Sequence, residues 1–452
     1  MYTSTLGWLT QLVRRRLVLA AALAALAAPG HAAACRAIPV TDSIQAAVDQ
    51  AQPCDWVVIQ PGTYRESVLV RTPDVHLRGL NRNGVVLDGE HRRGVNGIEV
   101  RADGVSVENL TVRNFEAQGG SGGNQIWWNG GDGSGTIGIH GWSGRYLTAY
   151  DTGLIGQYGL FTSNAVNGSW DHVYASGFAD SGIYLGACRD CRAVISHALV
   201  ERNALGYSGT NSGGHVVVQD SVFRNNSVGI APNSLAHDDP PPPQLGTCDA
   251  GANTTVTPTL ATTRLARCTV FRRNRVERNN NLTTPANETT SQLPWGTGIE
   301  LPGTYGDLIA NNIVSGNRNF GILAHEYPDP FPPTPDTLYF QSAGNRVAAN
   351  IVRGSKWDIA LEGGLFGAKQ SVNNCVVGNH YRTSLPADLR PWTCANATTP
   401  NVEAATANAL LVLVLKLQAA SLARHPVGQP APPPQPTMPN PCRGVPANPL
   451  CP

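Results

Sequence analysis

Apolar residues return along this chain in short alternating runs, each set off by a glycine. The pattern of Gly, an aliphatic or aromatic residue, any residue, then often another apolar one occurs at Gly97-Ile98-Glu99-Val100, Gly138-Ile139, Gly159-Leu160, Gly182-Ile183-Tyr184-Leu185, Gly206-Tyr207, Gly229-Ile230, Gly298-Ile299-Glu300-Leu301 and Gly321-Ile322-Leu323-Ala324. Glycines 159, 182, 206 and 229 stand 23, 24 and 23 residues apart, and 298 to 321 is 23 again. Period-two alternation inside a repeat of that length predicts short strands, with one turn of chain stacked on the next. Further apolar runs end in asparagine at 114, 203, 225, 279 and 317, and Val200-Glu201-Arg202-Asn203 returns unchanged at 276–279. Stacked turns would bring such asparagines together as a ladder. The LxxLxL signature of leucine-rich repeats is missing and a propeller needs a longer repeat. The expectation is therefore an all-β chain, a right-handed parallel β-helix solenoid with roughly 23-residue coils.

The same pattern sets the boundaries. Residues 1–34 read as a signal peptide, with Arg14, Arg15 and Arg16 before the apolar run Leu17 to Ala28 and small residues after it. Residues 35–395 form the β-helix domain, entered through a short capping helix from Ser43 to Val48. Residues 403–425, with Leu410, Leu411, Leu413, Leu415 and Leu417, read as a C-terminal helix, and 426–452 as an extended Pro-rich tail. Three segments interrupt the stack. They are 229–298 with the run His237-Asp238-Asp239-Pro240, Tyr327 through Pro335, and a Gly-rich loop from Gly119 to Gly135 carrying Trp127 and Trp128.

Composition narrows the classes. Against 48 Gly and 33 Pro stand 9 Phe and 2 Met, which disfavours a helical bundle. Net charge is +1, with no strongly basic stretch beyond the N-terminus, so no nucleic-acid partner is expected. The apolar run is too short to cross a bilayer, so no transmembrane span is expected after signal cleavage. Export to the periplasm or medium implies oxidised cysteines. The ten pair most simply as neighbours, Cys35 with Cys54, Cys188 with Cys191, Cys248 with Cys268, Cys375 with Cys394 and Cys442 with Cys451, although spacing alone leaves the connectivity open.

The entry Ser43-Ile44-Gln45-Ala46-Ala47-Val48 with Pro61-Gly62-Thr63-Tyr64, followed by the Gly-Ile and Arg-Asn coils, resembles bacterial right-handed parallel β-helix repeat proteins of the pectate-lyase-like superfamily, from about Cys35 to Cys394. The resemblance implies a polysaccharide lying along an outward strip between overhanging loops. It does not name a reaction, since that scaffold carries lyases, epimerases, glycosidases, esterases and proteins with no known activity. The Asp-Pro-His-Asp type signature of mannuronan epimerases is absent, as are the motifs of polygalacturonases and pectin methylesterases. No aspartate cluster on adjacent coils suggests a metal, and no cofactor is implied.

Alternation places residues two and four after each glycine outside. One outward row then reads Glu99, His140, Phe161, Tyr184, Ser208, Ala231, Glu300, Leu323, and the next Arg101, Trp142, Ser163, Gly186, Thr210, Asn233, Pro302, His325. Two clusters carry chemistry. Glu99, Arg101, His140 and Trp142 lie at the N-terminal side, with Trp127 and Trp128 as sugar platforms. Glu300, His325, Glu326, Asp358 and Glu362 lie further along. Abstracting a proton beside a uronate carboxylate needs a base and a cation that neutralises the carboxylate. Glu99, His140, Tyr184, Glu300 and His325 are the candidate catalytic groups, and Arg101, Trp127, Trp128, Trp142 and Glu362 the candidate substrate contacts. If the Gly119–Gly135 loop is a pure insertion, Glu99 and His140 stand about 5 Å apart on adjacent coils. Two functions follow. One is an exported protein acting on or binding polysaccharide or cell-envelope glycan, as an acidic-polysaccharide lyase or epimerase. The other is a non-catalytic binding solenoid whose outward polar residues serve solubility.

Overall fold

The computed structural model describes residues 34–452 apart from 133, 236–267, 326, 329–338, 341, 362–373, 391, 393, 395–411, 414 and 418. The expected signal peptide and the 237–240 run lie outside the described residues. The chain winds through three parallel sheets in turn, of 12, 11 and 11 strands. Sheet 1 runs from Ala37–Val40 to Cys375–Val377, sheet 2 from Gly62–Tyr64 to Ile351–Arg353, and sheet 3 from Val68–Val70 to Ser384–Leu385. This is a right-handed parallel β-helix.

Ile98, Ile126, Leu160, Ile183, Tyr207, Ile230, Ile299, Ile322 and Ile359 form one inward row of sheet 3, all fully buried. Glycine precedes all of these but Ile126 and Ile359, and it has a steric cause. A Cβ on Gly159, Gly206, Gly229 or Gly298 would stand 2.5, 2.3, 2.4 or 2.6 Å from the carbonyl oxygen of the next glycine in the row. Close stacking of coils is possible only without a side chain there.

From Asn109 onward each corner between sheets 1 and 2 is a single left-handed residue. Asn109, Tyr146, His172, His197, Asp220, Arg273, Asn311 and Ala349 have φ between 51° and 57°. For residues with a Cβ this costs roughly 1 kcal/mol each. A backbone bond to the next coil offsets it, as from Tyr146 N to Asp171 O at 3.0 Å. Buried asparagines join the coils at the corner between sheets 2 and 3. Asn203, Asn226, Asn279 and Asn317 are linked by Nδ2 to Oδ1 bonds of 3.0, 3.0 and 3.1 Å. The expected ladder is therefore present, with Asn226 in place of Asn225, which is the left-handed corner residue (φ 55°), as is Asn114 (φ 58°). A second ladder, Asn312, Asn350 and Asn379, runs between sheets 1 and 2.

The N-terminal cap is helix α1, Ile44–Val48. Ser43 Oγ accepts from Ala46 N at 3.1 Å, and the Glu66 carboxylate accepts from Ile44 N at 2.7 Å. Four expected disulfides are formed, Cys35–Cys54, Cys188–Cys191, Cys375–Cys394 and Cys442–Cys451. Cys268 is also disulfide-bonded, while Cys248 lies outside the described residues.

Near the C-terminus, residues 412–413, 415–417 and 419–422 are helical. Leu413, Leu417 and Ala420 lie against Trp295, Phe320, Leu323 and Ala360. The segment that follows returns along the stack. Val427 N donates to Thr283 O at 3.0 Å, Gln435 and Asn83 exchange two bonds of 2.8 Å, and Met438 N donates to Asn109 Oδ1 at 2.8 Å. Two buried arginines pin it. Arg82 Nη1 donates to Pro436 O at 3.0 Å, and Arg78 Nη1 to Pro441 O at 3.0 Å and Arg443 O at 3.1 Å. Burial pushes the Arg82 guanidinium down to about 9.

Candidate functional site

The expected rows are in register apart from one reassigned coil, but they do not face solvent as expected: Tyr184, Ser208, Ala231, Glu300, Leu323, Thr210 and His325 are all buried. Asn124–Asn129 is not part of a pure insertion; it is the sheet 3 strand of its coil, registering Trp127 with Glu99 and with Phe161. The glycine that would mark this strand is replaced by Gln125, whose buried side-chain amide bonds the backbone of Phe115, accepting from N at 3.1 Å and donating to O at 2.9 Å. His140 and Trp142 belong instead to Ile139–Arg145 in sheet 1. The expected 5 Å pairing of Glu99 with His140 is therefore wrong, and His140 stays exposed on another sheet. Trp128 and Trp142 are also inside. They form a buried aromatic cluster with Trp170, at centroid separations of 5.8 Å between Trp128 and Trp142 and 4.7 Å between Trp142 and Trp170. Neither can touch a substrate.

What remains at the N-terminal end is Glu99 beneath Arg101. Burial works against ionisation of Glu99, but hydrogen bonds from Asn129, Arg101 and Asn96 at 2.9, 2.6 and 3.0 Å outweigh it and hold the carboxyl below its usual range. A carboxylate so held is a poor base. Beyond it the row is aromatic. Trp127 stacks on Phe161 (4.9 Å, 7°), Tyr158 stacks on Phe161 at 4.4 Å, and Tyr184 meets Phe161 edge-on at 4.9 Å. Trp127 and Tyr158 therefore each spend one ring face on Phe161.

Further along, Glu300 and His325 do meet. His325 Nε2 lies 2.8 Å from Glu300 Oε1, and both residues are buried. Glu300 Oε2 has no hydrogen-bond partner. An imidazole oriented by a carboxylate is the pairing general-base chemistry uses. Asp358 does not join them; its carboxylate accepts from Ser355 N at 3.2 Å and Arg382 N at 2.9 Å and closes a turn. Glu326 and Glu362 lie outside the described residues. In the outer row Leu323 and Ala360 are buried in the cluster that holds Leu417, so the strip is not one open surface.

A feature that the row argument missed lies at the corner of sheets 2 and 3. A cavity of about 540 Å³ is lined by Glu277, Arg278, Ser315, Gly316, Arg353, Gly354 and Arg382. Its cause is a change of residue type along two rows. In earlier coils each arginine here has a carboxylate, as in Arg202–Glu201 (3.0 Å), Arg224–Glu201 (2.7 Å) and Arg275–Glu277 (2.6 Å). The row that carries Glu201, Arg224 and Glu277 continues as Ser315 and Arg353. The left-handed corner row that carries Arg202 and Arg278 continues as Gly316 and Gly354, with φ 64° and 78°. Loss of the side chains hollows the groove, and loss of the carboxylates leaves it cationic. Among the described residues, the guanidinium groups of Arg278, Arg353 and Arg382 have no hydrogen-bond or ion-pair partner. The sequence spacing carries no signal for it: Arg278 lies between Glu277 and Asn279 and Arg382 between Tyr381 and Thr383, and only Arg353 is followed by a glycine.

The architecture defines the chain as a parallel β-helix protein. No family model matches it, and no curated protein matches it at a significant level. Among solved structures it is similar to the A-module of a mannuronan C-5 epimerase from Azotobacter vinelandii, at 13% identity and TM-score 0.45 over 76% of this chain and 92% of that one. An alginate lyase from a Paenibacillus species is 16% identical with TM-score 0.41, over 77% and 96%. The catalytic domain of a GH87 α-1,3-glucanase in complex with nigerose is 11% identical with TM-score 0.48, over 81% and 68%. None of these likenesses bears on the chemistry of the sites described above.

Proposed function

We propose that this is an exported β-helix protein that engages an acidic polysaccharide, a uronate polymer or cell-envelope glycan, in the arginine groove. The observation that carries this reading is the set of three guanidinium groups with no ion-pair partner among the described residues, Arg278, Arg353 and Arg382, around a hollow floored by Ser315, Gly316 and Gly354, whose one lining carboxylate, Glu277, pairs with Arg275. Guanidinium groups bind carboxylates with two parallel N–H donors, and successive coils would offer them at intervals along a chain ligand. The disulfides support an oxidising compartment.

The test is binding of polygalacturonate and alginate, with neutral dextran as control, by affinity electrophoresis or calorimetry. Exposed charge contacts contribute about 0.2–1 kcal/mol each, so the triple variant R278A/R353A/R382A should lose roughly three- to 150-fold in affinity, with a shallower salt dependence. A triple variant that binds as well as the parent, or equal binding to dextran, would overturn the proposal.

A second reading, lyase or epimerase chemistry, is favoured by the Glu300–His325 pair and the unpartnered Glu300 Oε2. In it His325 abstracts a proton beside a uronate carboxylate and Glu300 orients the ring. Ultraviolet absorbance of unsaturated products and solvent proton exchange read the two outcomes. Absence of both with every uronate polymer sinks the enzymatic reading and leaves the binding one intact.

A further inference from the structure

Away from the groove, one strained segment aims a histidine at two buried carboxylates. The sheet 2 strand Val85–Arg93 bulges between Asp88 and Arg92, where Glu90 and His91 are both left-handed, with φ 51° and 59°. The bulge turns His91 towards Glu116, on the neighbouring strand Thr111–Gln118, and towards Asp151, just past the end of the next strand, Thr148–Tyr150. His91 Nδ1 lies 2.8 Å from Glu116 Oε1 and 3.9 Å from Asp151 Oδ1, and the three donor atoms all fall within 4.8 Å of one another.

The Asp151 side chain is fully buried. Its Oδ2 accepts from Gly156 N at 3.1 Å, but Oδ1, the atom facing His91, has no hydrogen-bond partner among the described residues. A buried carboxylate oxygen without a donor is costly unless something positive comes to it. The nearest permanent cation, Arg93, lies 3.7 Å from Glu116 Oε2 and is largely exposed. Glycine keeps the place open on the far side, since a Cβ at Gly153 would stand 2.0 Å from Glu116 Oε1.

We propose that His91 Nδ1, Glu116 Oε1 and Asp151 Oδ1 bind a divalent transition-metal cation of the zinc class. One imidazole nitrogen and two carboxylate oxygens suit such an ion, and ligands about 2.1 Å from a shared centre stand roughly 3–3.5 Å apart, a spacing that the 2.8 and 3.9 Å separations from His91 Nδ1 bracket. The exposed side of His91 leaves a coordination position for water. The other His and Asp cluster, Asp171, His172 and His197, does not share these features. Both ring Nδ1 atoms already lie on Asp171, at 2.8 and 2.7 Å, and Ser196 Oγ adds a bond at 2.9 Å, so no oxygen there lacks a partner.

The test is zinc titration of chelator-treated full-length protein by calorimetry, with bound metal counted by elemental analysis. The parent should bind one equivalent more than H91A, a substitution at an exposed residue that leaves the core intact. D151N should lose the same equivalent, and H197A should keep it. Equal zinc content in the parent, H91A and D151N overturns the proposal, as does an equivalent lost in H197A alone. Zinc should also raise the melting temperature of the parent but not of H91A.

Discussion

Replacing Asn279 by alanine tests what joins the coils. Its side chain is fully buried and makes four bonds: Oδ1 accepts from Asn226 N at 3.1 Å and from Asn226 Nδ2 at 3.0 Å, and Nδ2 donates to Asn317 Oδ1 at 3.1 Å and Phe223 O at 3.2 Å. At about 1 kcal/mol net per bond the loss is about 4 kcal/mol. Water is poorly placed to replace the amide, because a Cβ on Gly229 would already stand 2.8 Å from Asn279 Nδ2. Asn225→Ala is the matched control. Asn225 occupies the left-handed corner with its side chain outside the ladder, so the expected cost is only about 1 kcal/mol from the backbone. Hydrogen exchange read coil by coil, together with urea unfolding, should show N279A opening the coils around 226, 279 and 317 while N225A leaves them protected. Equal effects of the two variants, or a loss below about 1 kcal/mol in N279A, would refute the reasoning.

Trp128→Ala should lower stability by about 3–5 kcal/mol, because the side chain is fully buried against Trp142 and Trp170; Trp127→Ala, half-buried on the outside, should cost much less in the same melts. Asp55→Asn should destabilise the N-terminal cap by about 1.5–3 kcal/mol at pH 7. Burial raises the Asp55 carboxyl, yet its bonds to Arg36 and Gln52 N outweigh that and hold it below its usual value. Its contribution is therefore present above the ordinary aspartate range and lost as pH falls through the folded value, so the gap between parent and D55N should narrow in melts taken at successively lower pH below that range. Leu417→Ala should cost about 2–3 kcal/mol and raise binding of an apolar dye by uncovering Leu323 and Ala360.

The solenoid was legible because its cause is steric and repeats: in several coils the glycine lies against the carbonyl of the next glycine in the row, so the motif returns about every 23 residues. The same rule explains the main error. Gln125 performs the glycine's place in its coil by bonding Phe115 through its amide, which leaves no trace in a search for Gly followed by an aliphatic residue, and Gly138-Ile139 then imitates the missing unit. One slip moved His140 and Trp142 to the wrong sheet. Glu300 and His325 were placed on adjacent coils correctly, but no alternation pattern could show that other segments bury them. The arginine groove depends on which carboxylates are absent, and the His91 cluster on a bulge; both are properties of neighbours in space that sequence spacing does not carry.

The returning tail changes how such a stack can come apart. A bare solenoid is held by nearest-neighbour contacts, so it frays from an end, one repeat at a time. Here Gln435 and Thr437 are fastened to Asn83 and Arg82, more than 350 residues earlier, at separations of 352 and 355. The segment crosses the direction of fraying like a tie along a stack of plates. Coils at the C-terminal end cannot peel away until the bonds at Arg78, Arg82 and Asn109 release. Unfolding should gain the all-or-none character of a compact domain, and the tie, closing a loop of more than 350 residues, should be among the last contacts to form on refolding.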